Sequence, residues 1–278
     1  MAPLAKLVVA CLILSLALIQ VSWVAGGSIA TYWGQDTNDT EGRLEELCNT
    51  GHYSHINVAF LTHFGDGRDL EFSIFDHCNN QVSCIRFGRD IKTCQSKQVK
   101  ILLSIEGPYG TYSLNSVDDA QKVAKLLWDS YLIGVGFDGI DFHIENGSAL
   151  YYENLTNYLK DYGKKNNKEV ILSASPSGLY PDAYLEKAMY SGHFDIVWIQ
   201  LFNSTSCQYD SANQNDYLPV ASWEEWNMLL ATGRPLFLGI PASEYISRSE
   251  QTDMDPLSPF GVPFFVPSIK SRHVSSKM

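Results

Sequence analysis

Residues 137–148, FDGIDFHIENGS, carry carboxylates at Asp138, Asp141 and Glu145 and a histidine at position 143. The residues between them are mostly apolar, so the stretch reads as a buried strand. A buried carboxylate is costly unless it is paired, hydrogen-bonded or functional. Side chains alternate across a strand, which puts Asp141, His143 and Glu145 on one face. A row of acids on one face is suited to proton transfer, and the histidine interrupts it. A protonated imidazole only donates hydrogen bonds. As a cation beside Glu145 it favours the carboxylate and removes the proton that a general acid must hold. The plainer alternative is a histidine that fills space and bonds Asp141. No second ligand stands at a recognisable spacing, so no metal site and no cofactor are expected.

The elements around this strand must place its end in a cleft. Short apolar, β-rich runs occupy 28–33, 55–61, 99–105, 136–144, 169–175, 195–202 and 234–241, with helix-like segments between them. Near-continuous apolar strands separated by helices imply a parallel sheet covered by helices. Residues 116–132 offer Ser116 as an N-cap and an apolar face. Residues 149–163 form a second amphipathic segment. Residues 222–233 open on a Ser222–Glu225 capping box and stop at Gly233. Seven βα units in a chain of 278 residues favour an α/β TIM (β/α)8 barrel over an open sheet. After Pro241 no helix of crossover length follows. An eighth strand within 261–267 would contain two prolines, which argues against a central strand. The eighth βα unit is therefore expected to be missing or replaced, and an unclosed barrel would leave two open edges.

Charge and targeting narrow the partners. The chain holds 20 basic and 31 acidic residues, for a formal charge of −11. No basic cluster appears, which excludes nucleic acid and anionic membrane surfaces as expected partners. Residues 1–25 read as a secretory signal peptide: Lys6 comes early, an apolar run covers 7–21, and small residues follow to Ala25. A membrane anchor is the alternative, but the run is short for a span. Of the six cysteines, Cys11 leaves with the leader, and Cys48, Cys78, Cys84, Cys94 and Cys207 remain. Disulfides are expected in an oxidising compartment, and the odd number leaves one thiol over. Sequons stand at Asn38, Asn146, Asn154 and Asn203. Asn146 follows Glu145 directly, so a glycan there would obstruct whatever that residue serves.

Several motifs in order resemble the plant class III, hevamine-like chitinases of glycoside hydrolase family 18, a group that also contains lectin-like, storage and xylanase-inhibitor members. YWGQ (32–35), INVAFL (56–61), LLSIEG (102–107), DGIDFHIE (138–145) and VWIQLFN (197–203) match successive strands. The resemblance covers 26–242 of a single domain, 26–278, and leaves a divergent tail at 243–278. It implies a TIM barrel with its site at the C-terminal ends of the strands. It implies substrate-assisted chemistry, in which Glu145 is the general acid and the substrate's own acetamide attacks the anomeric carbon. Asp141 and Asp138 take supporting places, and Tyr32, Gln35 and Gln200 fall at substrate-binding positions. It also implies disulfides Cys48–Cys94 and Cys78–Cys84, and it leaves Cys207 alone, because Gly178 stands where its partner would be.

The chain departs from that family at several points. His143 stands where the family has Asp, which accepts the acetamide N–H. Phe202 stands where it has Tyr, whose hydroxyl holds the acetamide oxygen. Glu106 replaces a glycine, adding bulk and charge at the cleft or turning to solvent. No Trp follows Trp226 to floor the sugar pocket. Losing one preorganised donor costs roughly 10²–10³ in rate, and poor general acid catalysis costs roughly 10²–10⁴. The sequence therefore points to a secreted, monomeric defence protein of the apoplast or vacuole that binds a microbial xylanase, chitin or another glycan with little turnover. A weakly active acidic endochitinase is the second expectation, and a defective or mis-spliced product, suggested by the tail, is the third.

Overall fold

A computed structural model describes residues 29–35, 41–107, 110–201, 225–226, 235–240 and 264–267. The strands are β1 (Ile29–Trp33), β2 (Tyr53–Phe64), β3 (Glu71–Phe72), β4 (Lys100–Glu106), β5 (Thr111–Tyr112), β6 (Gly139–His143), β7 (Ile171–Ala174), β8 (Ile196–Gln200), β9 (Leu236–Ile240) and β10 (Phe264–Pro267). The helices are α1 (Leu44–Asn49), α2 (Gln81–Ser96), α3 (Val117–Leu126), α4 (Tyr152–Lys165) and α5 (Glu186–Tyr190). Each expected run forms a strand.

β1, β2, β4, β6, β7, β8 and β9 pair in parallel, each with the next. The short β3 and β5 pair with the C-terminal half of β2. The eighth place belongs to β10, which runs antiparallel to both β9 and β1. The expectation of a replaced eighth unit therefore holds, and the worry about open edges does not: the ring of strands closes. Pro267 takes the last position of β10.

The helices begin where the sequence supplies caps. Ser116 Oγ accepts the Asp119 amide at 3.1 Å and starts α3, and Asn80 Oδ1 accepts the Ser83 amide at 3.0 Å and starts α2. α3 widens into a π-helical stretch, Leu127–Val135, that ends on Gly136 at φ +98°, a left-handed position that glycine adopts without strain. Of the expected 222–233 helix, only Glu225 and Trp226 are helical within the described residues, and Ser222 lies outside them.

Two apolar regions result from strand alternation. Ile140, Phe142 and Ile144 face outward into the large core beneath the helices. Inside the barrel, Ala30, Tyr32, Ala59, Leu102, Ile171, Ile196, Trp198 and Phe237 form a smaller cluster. Cys48–Cys94 ties α1 to α2, and Cys78–Cys84 ties the preceding turn to α2, as the resemblance implied. Cys207, Asn38, Asn203, the leader and most of the tail lie outside the described residues. No described helix is long and apolar enough to cross a membrane, and no described cluster of ligands could hold a metal.

Candidate active site

β6 carries the site because its inward positions are Asp141 and His143, with Glu145 just beyond its C-terminal end. Asp141 is fully buried. Its Oδ2 accepts from Tyr32 Oη at 2.7 Å and Ser104 Oγ at 2.8 Å. Its Oδ1 accepts from Ser173 Oγ at 2.6 Å and Trp198 Nε1 at 3.1 Å. Ser175 Oγ lies 3.3 Å from the same oxygen. Donors from β1, β4, β7 and β8 thus converge on one carboxylate, which offsets the cost of burying it.

His143 sits one step up the same face. Its Nδ1 is 3.0 Å from Tyr32 Oη, and its Nε2 is 2.8 Å from Glu145 Oε1. It makes no hydrogen bond to Asp141 among the described residues; the Tyr32 hydroxyl stands between them. The Tyr32 proton is directed at the Asp141 carboxylate, which can only accept. The phenol oxygen then accepts from His143 Nδ1–H. The second nitrogen faces Glu145. Nδ1 thus carries a proton, and a second proton lies between Nε2 and Glu145 Oε1.

Electrostatics agree with this assignment. Burial alone would lower the His143 pKa, but the Glu145 charge and hydrogen bond, with Asp141 and Asp182 behind them, raise it above the usual histidine value. Burial would raise Glu145, yet His143 holds it below the usual carboxylate value. The side chain of Glu145 is 28% exposed against 7% for His143. Both shifts favour the proton on the imidazole and the charge on the partly exposed Glu145 carboxylate.

Glu106 does something the sequence did not suggest. It is neither in the cleft nor turned to solvent but fully buried at the end of β4. Its Oε1 accepts the amides of Glu145 at 2.7 Å and Asn146 at 3.1 Å. Its Oε2 and the nearby Tyr152 hydroxyl are buried, and the two interact without well-formed hydrogen-bond geometry. Burial pushes its carboxyl up to about 10, against the pull of the two amides, so the group is a neutral acid at neutral pH. Its backbone holds φ +100°, a region that favours glycine and costs other residues roughly 1–3 kcal/mol. The two amide bonds at the end of β6 hold this conformation in place.

The other expected positions are accounted for as follows. Tyr32 is buried and spends its hydroxyl on the Asp141 network. Gln200 is buried, with Nε2 donating to the Ser175 carbonyl at 2.8 Å. Gln35 Nε2 donates to the carbonyls of Ala59 at 2.6 Å and Gly34 at 3.0 Å. All three side chains are held within the protein frame. Asp138 precedes β6 at its opposite end, where Oδ2 accepts from Gln95 Nε2 and the Ile101 amide; it fastens α2 and β4. Phe202 lies outside the described residues. Ser104, Ser173, Ser175, Trp198 and Asp182 were not singled out. Period-2 alternation in their own runs was the signal that places the first four inward.

With this geometry in hand, comparison with known proteins is decisive. The model of glycosyl hydrolases family 18 matches residues 28–255. The chain belongs to that family. A relative, "Endochitinase Ziz m 1.0101" of Ziziphus mauritiana, is 46% identical, over 92% of this chain and 80% of its own length. Among solved structures, the ICChI chitinase from Ipomoea carnea is 37% identical with a TM-score of 0.70, covering 78% of this chain and 81% of its own. A xylanase-alpha-amylase inhibitor protein, XAIP-I, solved with trehalose, is 36% identical with a TM-score of 0.71, covering 82% and 84%. The ICChI chitinase and the inhibitor XAIP-I are thus about equally similar to this chain.

Proposed function

We propose that this family 18 protein binds a glycan or a microbial xylanase at the C-terminal end of its barrel and hydrolyses chitin poorly. The observation that carries the reading is the 2.8 Å contact between His143 Nε2 and Glu145 Oε1. A general acid must arrive protonated. Here the pairing of the two groups, against burial, favours the proton on the imidazole over the carboxylate. A cationic His143 also cannot accept the N–H of a substrate acetamide. The XAIP-I likeness supports an inhibitor-like use, and the signal peptide and disulfides support secretion to the apoplast or vacuole.

A second reading keeps a weak endochitinase. It is favoured by the partly exposed Glu145 carboxylate and by the fully satisfied Asp141 beneath it. One measurement separates the two: hydrolysis of a soluble chitin oligomer by the purified protein, with Glu145→Gln as control. We expect no turnover above that control. Turnover that vanishes in Glu145→Gln overturns the first reading and makes chitinase the answer.

A further inference from the structure

We propose that Asn146 carries an N-linked glycan, and that this carbohydrate stands over the Glu145 end of β6 and limits what reaches it. The modification goes beyond the proposed function and rests on the same reading that the chain enters the secretory pathway. The sequon Asn146-Gly147-Ser148 lies in the irregular segment between β6 and α4, with Gly147 exposed and its two neighbours partly so. Gly147 turns the chain at φ +78°. No described residue hydrogen-bonds the Asn146 side-chain amide. The second described sequon behaves differently. Asn154-Leu155-Thr156 is inside α4, its Leu155 and Thr156 are fully buried, and the Thr156 hydroxyl donates to the Glu153 carbonyl at 2.9 Å. An enzyme that must engage the third residue of a sequon finds it accessible at Ser148 and enclosed at Thr156.

The attachment point is fixed relative to the cleft. Glu106 Oε1 accepts the amides of both Glu145 and Asn146, so one buried carboxyl pins the cleft carboxylate and the sequon as a unit. A sugar on Asn146 starts one residue from Glu145 and cannot swing away with an independent loop. The donor is a lipid pyrophosphate-linked oligosaccharide. Asn146 Nδ2 forms a bond to its anomeric carbon and loses a proton. The bond from that carbon to the pyrophosphate oxygen breaks, and the pyrophosphate leaves with the electron pair. The first sugars so attached are N-acetylglucosamines, the same units that make up chitin.

The test is to express the full chain with its own leader in plant cells and collect it from the medium. Glycopeptide mass spectrometry should find Asn146 occupied and Asn154 bare. Carbodiimide labelling of the Glu145 carboxyl should be several-fold slower in this protein than in Ser148→Ala, which removes the sequon but leaves Asn146. Asn146→Gln should label as fast as Ser148→Ala. A secreted protein with bare Asn146 overturns the proposal, and so does equal labelling of glycosylated and sequon-free protein. Retention in the cell with the leader attached sinks the secretion reading as well, and an intact leader tells that outcome from the first.

Discussion

A half-buried histidine on β2 and a buried one on β6, with β4 between their strands, behave in opposite ways. His55, near the N-terminal end of β2, packs its ring edge-on to Trp198 and Phe237. Burial, with Lys100 nearby, pushes it down to about 4, against Asp138. His143, at the C-terminal end of β6, is raised instead, although burial opposes it too. The difference is a carboxylate at hydrogen-bond distance. Among the described residues His55 bonds a serine, Ser54 Oγ at 2.8 Å, and no carboxylate. At one end burial lowers the histidine, which contributes packing; at the other Glu145 raises it. That division matches the general rule for barrels, in which the N-terminal face serves stability and the C-terminal face carries chemistry.

The largest expected effect comes from undoing the difference. His143→Asp combined with Phe202→Tyr restores the family's pattern at both positions. It removes the cation, frees Glu145 to take up a proton, and returns a hydroxyl for the acetamide. Turnover of a chitin oligomer should rise by roughly 10²–10⁴. A double variant that folds and shows no gain would place the defect elsewhere, and the His143–Glu145 pair would not be what limits the protein.

Asp141→Ala comes next. It leaves the Tyr32, Ser104, Ser173 and Trp198 donors buried without their common acceptor, and should cost about 3–5 kcal/mol in urea unfolding. The buried acid beside it tests the opposite sign. Glu106 is neutral in the folded protein up to about 10 and ionises near the usual 4.5 when unfolded. Between those values the folded state holds a proton that the unfolded state has lost, so stability falls as pH rises. Glu106→Gln keeps the acceptor for the two amides and removes the titration. It should be more stable than the parent at pH 7 by roughly 2–3 kcal/mol, with the gain shrinking toward pH 4.5. A constant difference across that range would mean that Glu106 is ionised where it sits.

Glu145→Gln addresses the charged pair directly. His143, raised above 6.5, contributes stability that is complete below 6.5 and lost as pH rises through its folded value. Glu145, lowered beneath 4.5, contributes stability present above 4.5 and lost as pH falls through its folded value. The parent should therefore exceed Glu145→Gln most clearly between about pH 4.5 and 6.5, by on the order of 1–2 kcal/mol. In the variant the His143 titration, followed by ring-proton NMR, should fall, because only Asp141 and Asp182 then oppose burial.

Much of this contrast was legible in the sequence, because alternation and charge are local. The period-2 pattern of β6 placed Asp141, His143 and Glu145 on one face, and the conflict between His143 and a protonated Glu145 followed from their chemistry. Ser116 announced its helix for the same reason. The disulfide pairs came from family likeness, because spacing alone leaves their connectivity open. What was missed depends on long-range geometry. Tyr32 lies 109 positions before Asp141, and nothing local says that its hydroxyl serves that carboxylate and separates it from His143. Glu106 looked like a cleft intruder because its type was visible and its φ was not. A left-handed residue at a strand end turns its side chain where a regular strand would not. The closing strand β10 was obscured by its prolines, since its antiparallel direction is set by partners at both edges.

The smallest effect bears on the neutral histidine. Lys100→Gln removes the cation second to burial in holding His55 down. If that charge mattered most, His55 would rise to the ordinary histidine value. Burial is the larger cause, so the His55 titration should rise only slightly and stay below 6.5. The same substitution also removes the Lys100 ammonium that lies 3.9 Å from Asp138. Asp138 keeps its hydrogen bonds from Gln95 and Ile101, and an ion pair this exposed contributes about 0–1 kcal/mol, so unfolding should barely change. A His55 that titrates normally in Lys100→Gln would show that charge sets the state of both histidines, and the contrast between the two ends of the barrel would reduce to the sign of the nearest neighbour.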